Sequence, residues 1–167
     1  VKEFMLFEPA SILNKVRELV IQTFEMSESE VKDGMDISLC SINTITNELK
    51  WAGANNPLWI YESSTNQLKE ISGNKQPIGQ FIDPKPFTPH SLILKKGDMI
   101  YLFTDGYADQ FGGENGKKFK SSRFKLLLNA IIKYDIHEQK EILIKTFEQW
   151  KGPLDQVDDV CILGVRI

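Results

Sequence analysis

The feature that most constrains this chain is an apolar run, Met99–Phe103, that stops abruptly at Thr104-Asp105-Gly106. An unbroken apolar run of this length is typical of a strand that is buried on both faces of a sheet. Glycine permits the tight turn that ends such a strand, so Asp105 is predicted to lie at the rim of a packed sheet. Two interpretations of Asp105 stay open: an ordinary turn residue, or a ligand for a hard metal ion.

A second apolar run, Val160–Ile167, follows two acidic residues, Asp158 and Asp159. Its apolar character predicts a central strand. If the two runs are antiparallel neighbours, the end of the first lies beside the start of the second, and their carboxylates converge. Buried carboxylates that converge repel one another unless they are protonated or bound to a metal ion. This geometry predicts a divalent cation site, whereas in the alternative interpretation Asp158 and Asp159 only cap the preceding connection.

The rest of the chain mixes helices with short strands. Apolar residues at helical spacing predict one helix that begins at Pro9 and two more that include Phe124–Ile132 and Ile142–Trp150. Short strands separated by turns are predicted at Ile37–Ile42, Leu49–Gly53, Leu58–Tyr61 and Gln67–Ile71. Together these strands favour an antiparallel meander. A hairpin turn at Lys95–Asp98 is predicted to join the strand Ser91–Leu94 to the run that begins at Met99.

Composition limits the classes of partner and cofactor. A net charge of −3 argues against nucleic acid as the main partner, and no apolar run is long enough to span a membrane. Cys40 and Cys161 lie among apolar neighbours, which predicts buried, reduced thiols and a cytoplasmic protein. The two histidines, His90 and His137, lack partners at ligand spacing, so any metal ligands are expected to be carboxylates, which favour Mg²⁺ or Mn²⁺.

A run of basic residues follows about ten residues after Gly106. Residues 116–125 carry Lys117, Lys118, Lys120, Arg123 and Lys125. Two interpretations are open: a solvated entrance to the helix that follows, or a surface that attracts an acidic or phosphorylated partner.

Several segments in a fixed order resemble the signature segments of metal-dependent serine/threonine protein phosphatases. The similarity is to the bacterial branch that includes the stage II sporulation phosphatase and the phosphatases that regulate sigma factors. The segments are Lys32-Asp33-Gly34-Met35-Asp36-Ile37, Trp51-Ala52-Gly53-Ala54-Asn55-Asn56-Pro57, Gln76-Pro77-Ile78-Gly79, Lys96-Gly97-Asp98, Phe103-Thr104-Asp105-Gly106 with Asp109, and Gln156-Val157-Asp158-Asp159-Val160.

This resemblance implies an α+β fold, an antiparallel β-sandwich flanked by helices. It implies a cytoplasmic hydrolase in signal transduction that uses Mn²⁺ or Mg²⁺, two ions in the complete domain, to activate water against phosphoserine or phosphothreonine. By similarity, Asp105 and Asp158 are metal ligands, and Asp159 is a supporting or substitute ligand. No catalytic residue beyond these ligands is implied. The implied substrate is a phosphorylated regulatory protein of the anti-sigma-factor-antagonist type, with no nucleic acid and no membrane contact.

The resemblance also implies that the family's first Asp-Gly motif, which supplies the bridging carboxylate, precedes Val1. Residues 1–167 are therefore expected to be a single domain that corresponds to the C-terminal portion of a catalytic domain lacking its first strands. We expect such a chain to bind metal weakly, to show little activity alone, and to self-associate through an uncovered sheet edge. The alternative function is a non-catalytic phosphoprotein-binding module, a degenerate phosphatase; a weaker alternative is an unrelated β-rich domain.

Overall fold

The computed structural model describes residues 3–25 and 34–167 of the chain. The sequence-based expectations for Lys32 and Asp33 lie outside the described residues. The chain divides into two compact units. The first comprises Val1–Trp59, Glu70–Lys96 and Ile167, and the second comprises Ile60–Lys69 and Gly97–Arg166.

The first unit is a helix beside a sheet with the strand order β1-β2-β5. Its elements are α1 (Pro9–Glu25), β1 (Ile37–Asn43), β2 (Glu48–Ala54) and β5 (His90–Ile93). Both strand pairs are antiparallel, with Cys40 opposite Trp51 and Trp51 opposite His90. The segment before β5, residues 72–89, is irregular and contains four prolines; bridges from Ile78 to Met35 and from Asn74 to Ala54 connect it to the rest of this unit.

Helix α1 begins at Pro9, as predicted, because proline fits the first helical position, where no hydrogen bond from its nitrogen is needed. Leu13 is fully buried in a cluster of apolar side chains in the first unit. The other buried members of this cluster are Ala10, Ala52, Ala54, Ile78 and Phe87. The apolar stripe of α1 therefore closes the core of this unit.

The second sheet has the strand order β4-β3-β6-β9. Its strands are β3 (Leu58–Glu62), β4 (Gln67–Ile71), β6 (Met99–Phe103) and β9 (Ile162–Arg166). Strands β6 and β9 are antiparallel neighbours, as predicted, with Phe103 opposite Ile162. Within the described chain β9 lies at the edge of this sheet, so the prediction of a central last strand was wrong: Leu163 is 52% exposed.

Aromatic side chains build the core of the second unit. The Tyr107 ring stacks on Phe124, with centroids 4.6 Å apart, and meets Phe119 edge to face. Its hydroxyl donates to the carbonyl of Leu143 at 3.0 Å. Because burial removes water from this hydroxyl, the pKa of Tyr107 is raised well above its usual range, and the group stays a donor.

Four short elements complete this unit around two longer helices. Three of these are helix α2 (Gly106–Asp109) and strands β7 (Phe111–Gly112) and β8 (Lys117–Lys118), and the fourth is the turn that joins β7 to β8. The longer helices are α3 (Ser121–Ile131) and α4 (Ile136–Lys151). Helix α4 contains the predicted Ile142–Trp150 and begins at Ile136, since Asp135 and Glu138 form a capping box there. The spacing of Asp135 and Glu138 is a sequence signal for the start of α4.

Two predictions about strand connections were wrong. The four strands from Ile37 to Ile71 do not form one meander, because β2 pairs with β1 and β5 whereas β3 belongs to the second sheet. For the same reason Lys95–Asp98 is not a hairpin turn: β5 and β6 lie in different sheets. Strand propensity and turn chemistry identify strands, but they do not identify which sheet a strand joins.

The described helices and strands form a mixed fold in which the registered strand pairs are antiparallel. Cys40 is partly exposed and Cys161 is exposed, so the prediction of two buried thiols was wrong. Among the described residues, no helix has the length and apolar character required to cross a membrane.

Leu13→Ala tests the role of α1. Removing this fully buried side chain is expected to lower the free energy of unfolding by about 2–5 kcal/mol, because the cavity in the cluster cannot close completely. The matched control on the same helix is Leu19→Ala, at a side chain that is 38% exposed, with an expected loss of about 0.5 kcal/mol. Urea denaturation followed by circular dichroism measures both, and equal losses would show that α1 does not close this core.

Candidate functional site

The chain brings two acidic segments together where β6 ends and β9 begins. Beyond the last registered pair, Phe103 and Ile162, the pairing continues for one more residue: the Thr104 amide donates to the Cys161 carbonyl at 3.0 Å. Asp105 follows Thr104 directly, and Asp159 and Asp158 lie two and three residues before Cys161. The predicted adjacency of the two segments is therefore present in the backbone.

The Thr104 hydroxyl joins the two segments through two hydrogen bonds. Its oxygen accepts from the Cys161 amide at 3.0 Å, and the hydroxyl donates to the Asp159 carbonyl at 2.8 Å. One side chain therefore satisfies both a donor and an acceptor of the backbone that follows Asp158. Threonine is suited to this place, since its branched side chain also fits a strand end.

Gly106, on the other side of Asp105, allows the start of α2 to lie close to the Asp158-Asp159 backbone. A Cβ atom at Gly106 would overlap the carbonyl oxygen of Asp159. The glycine is thus required for the contact between the α2 start and the Asp158-Asp159 segment, in addition to the tight turn expected from the sequence.

A buried glutamine fixes the segment further upstream. Gln110 is completely buried; its amide nitrogen donates to the Asp155 carbonyl at 2.9 Å, and its amide oxygen accepts from the Val157 amide at 3.3 Å. Sequence analysis missed this role. The available signal was weak: Gln110 is one of two polar residues between Ala108 and Phe111, and its spacing does not show that its side chain is buried or which groups it binds.

The three predicted ligands, Asp105, Asp158 and Asp159, are all exposed. Asp105 occupies the position before α2 and makes no side-chain capping bond to it. The Asp158 carboxylate accepts the Asp159 amide at 2.7 Å, and the Asp158 carbonyl accepts from Gln156 at 2.8 Å. The expectation of buried carboxylates was wrong, because the segments meet at a strand end that is open to water.

The chemistry of these donors fits a hard divalent cation, which takes carboxylate and carbonyl oxygens as ligands. Within residues 3–25 and 34–167, however, no group of three His, Cys, Asp or Glu side chains is placed to hold a metal ion. Backbone adjacency of Asp105 with Asp158-Asp159 is thus observed, whereas convergence of their carboxylates on an ion stays a prediction.

Known proteins similar to this chain share this architecture. The family described as Stage II sporulation protein E (SpoIIE) matches residues 5–167. The SiaA PP2C domain of Pseudomonas aeruginosa is 30% identical with a TM-score of 0.83; the match covers 96% of this chain and 61% of that one. No curated protein matches the chain. The chain therefore spans 61% of the length of the SiaA domain structure that it matches.

Two more solved structures share the fold at lower identity. The phosphatase domain of SpoIIE from Bacillus subtilis is 18% identical, with a TM-score of 0.60, over 94% of this chain and 70% of that one. A Mycobacterium tuberculosis serine/threonine phosphatase, PstP, is 14% identical, with a TM-score of 0.58, over 87% of this chain and 65% of that one. These similarities confirm the predicted phosphatase-like fold class.

Thr104→Val tests the joint between the two acidic segments. Valine keeps the shape of threonine but leaves the Asp159 carbonyl and the Cys161 amide without their partner, so the free energy of unfolding is expected to fall by about 1–3 kcal/mol. Thr104→Ser is the control, because it retains the hydroxyl, and a smaller loss is expected. Urea denaturation measures both variants. A serine variant as unstable as the valine variant would show that the hydroxyl does not hold the segments.

Proposed function

This chain belongs to the SpoIIE family of PP2C-type phosphatase domains, and on that premise we propose that it acts in a metal-dependent serine/threonine phosphatase. The observation that carries the proposal is the meeting of Asp105 with Asp158-Asp159 across the ends of β6 and β9, held by Thr104. The proposed reaction is hydrolysis of phosphoserine or phosphothreonine on a regulatory protein.

PP2C-type phosphatases use Mn²⁺ or Mg²⁺. We propose Asp105 and Asp158 as direct ligands and Asp159 as a supporting ligand, because their carboxylate oxygens suit a hard cation. When bound, such a cation supplies Lewis-acid chemistry, lowering the pKa of water and offsetting charge on phosphoryl oxygens.

Residues of the chain order the backbone around Asp105 and Asp158 in the absence of any ligand. Thr104 and Gln110 fix the backbone on both sides of Asp158, and Gly106 allows that backbone to lie against the start of α2. Carboxylates that are held on an ordered backbone lose less freedom when they bind, so fixed segments favour a specific site over diffuse attraction.

The match to one family runs without interruption from residue 5 to residue 167, which supports a single phosphatase domain that contains both compact units. We place this domain in the reducing cytoplasm. The support is that both cysteines, Cys40 and Cys161, are free thiols rather than a disulfide.

A second candidate function is a non-catalytic module that binds a phosphorylated protein. It is favoured by one observation: among the described side chains, no three potential ligands are grouped for a metal ion. The two candidates differ in whether Mn²⁺ binds at Asp105 and Asp158, which can be measured directly.

Manganese titration calorimetry on the 167-residue chain distinguishes these candidates. For the phosphatase, we expect weak but measurable Mn²⁺ binding, and Asp105→Asn or Asp158→Asn is expected to weaken it by at least about tenfold, since each removes a charged ligand oxygen. Asp83→Asn is the matched control, at an exposed carboxylate in the first unit. If the Asp105 and Asp158 variants bind Mn²⁺ as tightly as the control, these residues are not ligands.

Hydrolysis of a phosphoserine peptide provides the second measurement. We expect slow release of phosphate in the presence of Mn²⁺, because the described residues supply only part of a ligand set, and at least about a tenfold reduction in Asp105→Asn. Removal of Mn²⁺ with a chelator should abolish the release. Binding of the peptide with no Mn²⁺-dependent release would instead support the non-catalytic module, and rapid turnover would contradict the expected weak metal binding.

A further inference from the structure

One stretch of this acidic chain carries only positive charge. Residues 115–134 contain Lys117, Lys118, Lys120, Arg123, Lys125 and Lys133 but no Asp or Glu, although the net charge of the chain is −3. Four of these cations lie together in the second unit, where β8 leads into α3. We call the side chains of Lys117, Lys118, Lys120 and Arg123, with the rings of Phe119 and Trp150, the basic–aromatic surface.

Two neighbouring hollows form this surface. The first, about 430 Å³, is lined by the four cations and by a single carboxylate, Glu114. The second, about 480 Å³, is lined mainly by apolar side chains, which include Leu127 and the 72% exposed Leu126, with Thr146 and Gln149 also in its wall. Both hollows share Phe119, Arg123 and Trp150. A charged hollow thus continues directly into an apolar one.

The Arg123 guanidinium lies between the hollows. Its central carbon is 4.2 Å from the centroid of the Trp150 ring and 5.5 Å from that of Phe119. Such cation–π contacts hold the face of the guanidinium and leave its N–H edge available. Within the described residues, the Arg123 guanidinium makes no hydrogen bond or ion pair, and neither does the ammonium of Lys117 or Lys120. Lys118 is paired with Asp109 at 2.8 Å.

The surface is built on ordered backbone. The Trp150 indole donates to the Gln110 carbonyl at 3.0 Å, and the Trp150 carbonyl accepts from the Gly113 amide at 2.8 Å. Gly112 lies so close to Trp150 that a Cβ atom there would overlap the Trp150 carbonyl oxygen. These contacts connect the turn between β7 and β8 to the end of α4, so the backbone that leads to the cations is held in place.

Lys120 has a backbone conformation that lysine rarely adopts. Its φ of 74° and ψ of 143° lie in a region that favours glycine, so the backbone at Lys120 is strained. A residue with a long cationic side chain nevertheless occupies this position, at the rim of the charged hollow. A strained residue of this kind is consistent with a binding role for its side chain.

We propose that the basic–aromatic surface binds an acidic segment of a protein partner, with Asp or Glu carboxylates in the first hollow and an apolar side chain in the second. That partner is the regulatory protein of the proposed function, on which this identification rests. A protein segment fits better than nucleic acid, since phosphate backbones require an extended track of cations, whereas here the cations stop at an apolar hollow.

The test uses the 167-residue chain without metal and a short fluorescein-labelled peptide of glutamates with one leucine, followed by fluorescence anisotropy at low salt. The double variant Lys117→Glu/Arg123→Glu is expected to weaken binding by at least about tenfold, because two attractive charges become repulsive. The control is Lys140→Glu/Lys145→Glu, which makes the same charge change on α4, and it should stay within about twofold of the unmodified chain. Circular dichroism confirms that each variant is folded.

Lys120→Gly is the second variant, and it separates binding from folding. Glycine relieves the strained backbone while removing the ammonium, so the thermal midpoint is expected to stay or rise while the peptide binds about threefold more weakly. A variant that binds the peptide as well as the unmodified chain would overturn the role of Lys120.

Three results would overturn the whole proposal. The first is equal weakening in the Lys117→Glu/Arg123→Glu variant and the control variant. The others are equal affinity for a peptide with glutamine in place of glutamate, and tighter binding of a single-stranded oligonucleotide than of the peptide. None of these measurements depends on metal or on phosphate release. A failure of the proposed phosphatase activity would therefore be distinguishable from a failure of this binding surface.

Discussion

The hydroxyl of Thr104 is the interaction on which the candidate site depends. Strands β6 and β9 are far apart in the sequence, and their registered pairing ends at Phe103 and Ile162. Beyond that point a single backbone hydrogen bond, from the Thr104 amide to the Cys161 carbonyl, continues the pairing, and no registered strand pair holds Asp159 beside Asp105. Two hydrogen bonds from one side chain take over this task, and each is worth on the order of 1 kcal/mol. The position of the acidic segment therefore rests on a local, polar contact rather than on the apolar core.

Apolar packing forms the helices and strands, whereas polar contacts position the acidic segment. The sequence predicts the apolar part better than the polar part. Helix α1, the two longer helices of the second unit and the existence of strands β6 and β9 follow from apolar periodicity and apolar runs, since burial of apolar surface dominates their formation. The family resemblance, carried by Thr104-Asp105-Gly106 and the segment before Val160, identifies the fold class. What the pattern could not supply was the assignment of strands to sheets, because β2 and β3 look alike locally and differ only in their long-range partners.

The parts of the site that sequence analysis missed are all polar contacts between distant residues. Gln110 binds the backbone of Asp155 and Val157, and nothing in its spacing reveals those partners. The exposure of the three aspartates was also missed, because an apolar strand suggests buried surroundings for the residues at its end. A strand's burial does not extend to the turn that follows it: the turn backbone needs hydrogen-bond partners, and water supplies them most readily at the surface.

Exposure changes the energetic argument for a metal ion. Buried carboxylates in contact would need a cation or a proton for the fold to be stable, so their presence alone would imply one. Hydrated carboxylates at a strand end repel one another only weakly, because water and salt screen them over about 10 Å. The fold can therefore keep Asp105 and Asp158 without a bound ion. Metal affinity must then come from how firmly Thr104, Gly106 and Gln110 hold the two segments, and stability and metal binding should be linked through these three residues rather than through the carboxylates themselves.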